Sequence, residues 1–466
     1  MEEEPAFPLR LMANAFAGGE PATAKPSQDA TRWVLTNAPP KIRPFLKAPP
    51  RADPGNWRDP RVGWGLVLPD NPRLSQAQLS SACDAPEPIQ ALVRSRGHDA
   101  QPAPVLRYKH GIHRTGFLRR DGADLPISQS TYGTGPAAVP RYLLIYGTPE
   151  QIPWDVQYGL NATRFVGRLD LQGVPLENYV RALMSEWKEW KDVAAANFDA
   201  AVVWATDHGS SDITRLMRQA IAGPVVEKLR ADRIIGPNTI YIDGSIDGAA
   251  TAKTLIDKLE ATKPGFILTT SHGMTGPLDH PEEMTAQLGL PVDKERSVLH
   301  LESLLTNWQP AGAIWYAHAC CSAGSDSHTL FDGLFEAGSM VDLVLKGVAK
   351  AGARIAPLPS ALLGAREPLR AFIGHVEPTF DWTLEQMSTK QFTTEPITAA
   401  LYDELFQPAP IGQAMGSVFG QLGGLYADYD RFFRVASESN MLHRLLIARD
   451  VQSTVILGDP TAMLPL

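Results

Sequence analysis

From Arg141 onward the chain repeats one pattern: short, continuously apolar runs separated by longer stretches of helical periodicity. Tyr142–Tyr146, Ala200–Ala205, Thr239–Ile242, Phe266–Thr270 and Ala313–Ala317 read as strands, with Ala353–Ala356 and Ala371–Gly374 as further ones. Leu176–Trp190, Ile213–Leu229, Ala249–Leu259 and Leu330–Lys350 read as the helices between them. Runs that lack polar alternation need cover on both faces. The pattern therefore predicts an α/β fold, a mainly parallel central sheet in an α/β/α sandwich. In such sheets ligands collect beyond the carboxyl ends of the strands.

The first part of the chain is different. Residues 1 to about 55 are rich in Pro and Ala and read as an extended arm. Residues about 56–135 hold many turn formers, such as Asp59-Pro60 and Asp121-Gly122, and read as an irregular, partly β region. Within it, the basic stretch Arg107 to Arg120 reads as a solvated hairpin. The expected division is an N-terminal region, 1–135, of unassigned role and a main domain, 136–466. Glycines at 412, 416, 420 and 424 fall on one helical face and predict close packing of that helix on the sheet.

The net charge of −8 argues against a nucleic-acid binder, and no window is apolar enough to span a bilayer. Met1-Glu-Glu-Glu-Pro lacks the basic region of a secretory signal. Cys83, Cys320 and Cys321 are the only cysteines, which leaves no disulfide framework and fits a reducing cytoplasm.

Two strand ends carry the chemistry. Phe266-Ile-Leu-Thr-Thr-Ser-His272-Gly273 ends in His-Gly, and Ala313-Ile-Trp-Tyr-Ala-His-Ala-Cys320-Cys321 ends in cysteine, 48 residues after His272. A thiol nucleophile must lose its proton as it attacks, and histidine suits that task because it titrates near neutrality. The oxyanion then needs N–H donors, and the Gly273 N–H beside that of the nucleophile fits the role. His208-Gly209 is a second His-Gly after a strand. His272 is preferred because its strand directly precedes the cysteine strand. By register Cys320 is the nucleophile, with Cys321 as the alternative. Zinc held by His272, His318, Cys320 and Cys321 is the rival chemistry. It is disfavoured because successive strand residues point to opposite faces. No Gly-x-Ser-x-Gly elbow and no phosphate loop is present, and nothing calls for a metal or other cofactor.

In Ser271-His272-Gly273 and His318-Ala-Cys320-Cys321-Ser-Ala-Gly324 the chain resembles the caspase-like (clan CD) cysteine peptidases, whose histidine lies about 50 residues before the cysteine. Tyr142-Leu-Leu-Ile-Tyr-Gly-Thr-Pro-Glu-Gln-Ile-Pro153, Val166-Gly-Arg168, Phe372-Ile-Gly-His-Val-Glu-Pro378 and Leu457-Gly-Asp-Pro460 resemble its bacterial gingipain-like and CHAT-like branch. The resemblance covers roughly residues 140–466. It implies a caspase-type sandwich and an endopeptidase with a Cys/His dyad, with His272 as acid/base, Cys320 as nucleophile and Gly273 as oxyanion donor. The doubled cysteine departs from the usual single one. Members select a substrate side chain in an S1 pocket, and Asp326, close after the nucleophile, would favour Arg or Lys there. The implied partners are a protein or peptide substrate and a regulatory protein, in a bacterial defence or cell-death setting, with no nucleic acid and no membrane. The alternative is a catalytically silent binding module on the same fold.

Overall fold

The computed structural model describes residues 11–16, 21–24, 52–98, 101–111, 116–187, 196–386, 389–432 and 438–465. Two compact units are separated at Arg51 and Ala52, not near residue 135. Of the first unit, read from sequence as an extended arm, the described part is an antiparallel pair, β1 (Leu11–Phe16) and β2 (Pro21–Ala24). The rest of that arm lies outside the described residues.

The second unit, Ala52–Leu466, is built on a twelve-stranded sheet. Its first strands are β3 (Trp64–Pro69), β4 (Val105–Tyr108), β5 (Phe117–Arg120), β6 (Ala123–Pro126), β7 (Tyr142–Tyr146) and β8 (Phe165–Leu169). Then come β9 (Asn197–Ala205), β10 (Thr239–Asp243) and β11 (Pro264–Thr270). Two short pieces, β12 (His272–Gly273) and β13 (Pro291–Val292), pair with each other outside the sheet. After β14 (Ile314–His318), a second outside pair is formed by β15 (Gly324–Ser325) and β16 (Arg354–Ile355). Last come β17 (Ala371–His375) and β18 (Thr454–Gly458). Spatially the order is β10-β9-β11-β14-β17-β18-β8-β7-β3-β4-β5-β6. Pairing is parallel except at β17–β18 and the β4–β5–β6 edge.

The predicted α/β class with a mainly parallel sheet is therefore the observed one. Both faces are covered: Val202, Trp204, Ile267 and Trp315 join one buried cluster, while Ala201, Val203, Phe266, Leu268 and Ile314 join another. That two-sided burial is what runs without polar alternation require. Among the described residues no helix is long and apolar enough to cross a membrane.

Three expectations change. Residues 52–135 are not a separate irregular region, since β3 to β6 extend the same sheet. Arg107, read as part of a solvated hairpin, is 1% exposed and clasps Asp84 through two hydrogen bonds of 2.8 and 2.9 Å. The helix expected over 330–350 is Met340–Ala349, capped by Ser339, because Gly333 and Gly338 take positive φ in the preceding turns.

The segments that carried the branch resemblance meet at one seam. β18 joins β8 through only two register pairs, Ile456↔Gly167 and Leu457↔Arg168. Arg168 is fully buried and binds Gln157 at 3.0 Å and the Gly147 carbonyl at 3.2 Å, while Gln157 donates to the Ile456 carbonyl at 3.0 Å. Gly167 has no room for a side chain: a Cβ would lie 2.0 Å from the Gly458 carbonyl oxygen. Gly167→Ala is expected to cost about 2–4 kcal/mol, since backbone at the seam must move. The helical glycines differ. Gly412 abuts Phe165, at 2.7 Å from a would-be Cβ, but Gly420 and Gly424 face open space within 4 Å. The predicted close packing therefore holds at one end of that glycine row only. Gly420→Ala should be neutral or stabilising by up to about 1 kcal/mol. Urea midpoints of the two variants would check this, and equal midpoints would refute it.

Candidate active site

Sheet register brings the two strand ends together. β11 and β14 run parallel, with Thr270 opposite His318. His272 lies two residues past Thr270, and Cys320 two residues past His318, so each follows the same register pair by the same step. The backbones then touch: a Cβ on Gly273 would sit 1.9 Å from the Cys320 carbonyl oxygen. The sequence reading gave this glycine the part of an oxyanion donor. In the structure its missing side chain also lets the His272 segment lie on the Cys320 loop.

The two cysteines are not equivalent. Cys320 keeps some exposure, and its Sγ accepts a hydrogen bond from the Thr379 N–H at 3.4 Å. Cys321 is fully buried with Met284, Leu288, Val348 and Ala351, at φ +55°. Its N–H donates to the Glu377 carbonyl at 3.2 Å, and Gly289 packs against its own carbonyl. Burial pushes both thiols up, and the Thr379 groups oppose it only at Cys320. A protonated resting thiol needs a base to attack.

The loop around the cysteine is braced from β17. Gly374 leaves space for the Ser322 hydroxyl, which accepts from the His375 N–H at 3.0 Å and donates to the Ala317 carbonyl at 3.1 Å. The Ala323 N–H donates to the His375 carbonyl at 2.8 Å. The segment Phe372 to Pro378 thus shapes the loop that carries Cys320 and Cys321.

His272 has a partner that the sequence reading missed. Its Nε2 lies 3.0 Å from Asp212 Oδ2. Asp212 follows β9, caps the helix Ile213–Met217 and accepts from the Thr214 N–H at 2.9 Å and the Thr214 hydroxyl at 2.5 Å, both on Oδ1. Burial raises its carboxyl, but the Thr214 bonds and the His272 ring outweigh that and bring it down to about 2. An aspartate just before an apolar helical stretch is a readable N-cap. That its second oxygen reaches a strand end 60 residues later is set by the turn after β9 and is not visible in the spacing. His208, set aside as the rival His-Gly, stacks on His272 with ring centroids 5.5 Å apart and planes within 9°. Its Nε2 lies 2.9 Å from the Asp293 carbonyl.

His208, Asp212 and His272 bring ligand atoms within 4.8 Å of one another, the one such group among the described residues. The alternative zinc set of His272, His318, Cys320 and Cys321 does not form such a group.

Two hollows flank these residues. A groove of about 510 Å³ is lined by Ser210, Asp212, Arg215, Thr379, Phe380 and Asp381. It includes the partner of His272 and the donor to Cys320. A second, of about 550 Å³, is lined by Glu150, Asp155, Asp326 and His328, and neither His272 nor Cys320 is on the wall of either hollow. Burial raises the Asp326 carboxyl, with Asp155 adding to the rise. Burial also pushes Glu377 up to about 7, against the Leu330 N–H and the Thr329 hydroxyl, with Asp326 and Asp155 adding to it. Three carboxylates therefore crowd each other between this hollow and the Cys321 loop.

No family model matches the chain, and none of the curated proteins does.

Proposed function

We propose that the chain is a cysteine-type endopeptidase of the caspase-like kind, with Cys320 as nucleophile, His272 as general acid/base and Asp212 as the residue that positions His272. The observation that carries this reading is the equal overhang of His272 and Cys320 past one register pair, with Asp212 on the ring nitrogen. Donation of Nε2–H to Asp212 leaves Nδ1 as the basic nitrogen. The Cys320 proton passes to Nδ1 as sulfur bonds to the scissile carbonyl carbon. The carbonyl oxygen becomes an oxyanion, for which Gly273 supplies an N–H donor. Collapse breaks the C–N bond, and imidazolium returns the proton to the leaving amine. Water, deprotonated at Nδ1, then cleaves the thioester and restores the thiol. Imidazolium formed in this cycle is stabilised by the aspartate.

The groove beside Asp212 and Thr379 fits an extended peptide, and the crowded Asp155, Asp326 and Glu377 favour a cation. A substrate with Arg or Lys at the cleavage position meets that need. A peptidyl ketone electrophile ending in arginine should label Cys320 alone, as read by peptide mass mapping. Asp326→Ala should slow labelling by the arginine probe at least about tenfold, and by a leucine probe less than about twofold. Equal slowing of both probes would remove Asp326 from substrate selection. Failure of every probe to label Cys320 in the folded chain would favour a silent binding module.

A further inference from the structure

Against the end of β14 the fold carries buried polar groups that this chemistry does not use. A cavity of about 260 Å³ lies against β14, β17 and β18 and the helices Gly416–Phe432 and Glu438–Gln452. Met415, Val418, Leu425, Ile447 and Val451 supply its apolar lining. Its polar lining includes His318, His375 and Asp450, which are 1%, 4% and 1% exposed. Each holds one buried atom without a hydrogen-bond partner among the described residues: His318 Nε2, His375 Nδ1 and Asp450 Oδ1. His443 Nε2, in the same lining, is a fourth such atom, and native interiors seldom leave so many together.

The neighbouring bonds assign roles to these atoms. Tyr316 Oη lies 3.0 Å from His318 Nδ1 and, as donor, leaves the proton of that ring on Nε2. His375 Nε2 lies 3.3 Å from the same nitrogen, whose one lone pair the Tyr316 hydroxyl already takes, so the ring proton of His375 falls to Nδ1. Asp450 Oδ2 already accepts from the Phe380 N–H at 3.2 Å and the Thr383 hydroxyl at 2.6 Å, so Oδ1 is the vacant acceptor. His375 Nδ1 and Asp450 Oδ1 are 3.8 Å apart, beyond bonding distance to each other and within reach of a common bridging group. The wall thus offers two ring N–H donors and, beside one of them, a carboxylate acceptor. A primary amide presents the complement: one carbonyl oxygen and an NH₂ with two protons.

We propose that this cavity is a binding site for a small uncharged molecule with an amide edge on an apolar ring, and that its occupancy is felt at Cys320. The connection is short. The Phe380 N–H binds Asp450, and the preceding Thr379 N–H binds Cys320 Sγ. His318 also stands two residues before Cys320 on β14. Burial pushes Asp450 up to about 7 against the Thr383 and Phe380 donors, as expected of a carboxylate short of one partner.

The site is read independently of the peptidase reading, because alkylation reports on the thiol whether or not a peptide is cleaved. Calorimetric titration of the full chain with benzamide should give saturable binding with Kd on the order of 1 mM, as suits a fragment of this size. Acetophenone, with methyl in place of NH₂, should bind at least about tenfold more weakly. Leu425→Trp fills the cavity from a half-buried position and should abolish binding with the melting temperature retained, and Val418→Trp is the second filling variant. At saturating benzamide, the rate of Cys320 alkylation by iodoacetamide should change at least about threefold, a shift carried by the 379–383 backbone. Absence of saturable binding, equal binding of acetophenone, or undiminished binding to both folded tryptophan variants would overturn the site. An unchanged alkylation rate at saturation would overturn the coupling.

Discussion

Cys320→Ala should abolish peptide cleavage, by at least about 10³-fold in kcat/KM, while Cys321→Ala should leave it within a few-fold of the parent. The two residues are adjacent, so composition and distance along the chain cannot separate them. Their environments can. Cys320 keeps partial exposure beside the Thr379 N–H, whereas Cys321 is sealed among Met284, Leu288, Val348 and Ala351. Cys321→Ala removes one buried sulfur and should cost about 1 kcal/mol of stability, seen as a lower urea midpoint. It should leave the left-handed turn at φ +55° in place, since alanine bears the same backbone penalty as cysteine. Circular dichroism of Cys320→Ala should match the parent, which separates lost chemistry from lost fold. Retained cleavage in Cys320→Ala with loss in Cys321→Ala would move the nucleophile to the buried residue and remove the register argument with it.

What could be read from the sequence followed from period and spacing. β11 and β14 are continuous apolar runs, and parallel register fixes the residues just past their ends, so His272 and Cys320 were both visible. Residues 64–69 are equally apolar, yet they sit among Asp-Pro and Asn-Pro turns, and punctuation there hid a central strand. The segments around Gly147, Arg168 and Gly458 carried the branch resemblance. They are the seam between β18 and β8, where small residues and a buried guanidinium join the sheet halves. His208 was set aside because its strand does not directly precede the cysteine strand. It packs on His272 instead, which only the folded loop after β9 could reveal. His318 was weighed as a zinc ligand together with Cys320, but its ring meets Tyr316 and His375 in the wall of the cavity instead.

Asp212→Asn is expected to lower kcat by about 10²–10⁴-fold with KM changed less than about threefold, as for a group that acts on the base and not on the substrate. Asparagine is as good an N-cap as aspartate, so the helix Ile213–Met217 should keep its start and the protein its stability. What changes is the second oxygen. An amide NH₂ turned to His272 donates to Nε2, which forces the ring proton onto Nδ1 and removes the lone pair proposed to take the thiol proton. Even with the amide oxygen toward the ring, the imidazolium that forms in the reaction loses its counter-charge. Nitrogen NMR of the His272 ring should show the proton mainly on Nε2 in the parent and a larger Nδ1–H share in the variant. Asp212→Ala separates the terms from the other side: it should lose the same activity and a further ~1 kcal/mol of stability through the missing cap. Full activity in Asp212→Asn with unaltered ring tautomer would reduce Asp212 to a helix cap and leave His272 to be held by its stack on His208 alone.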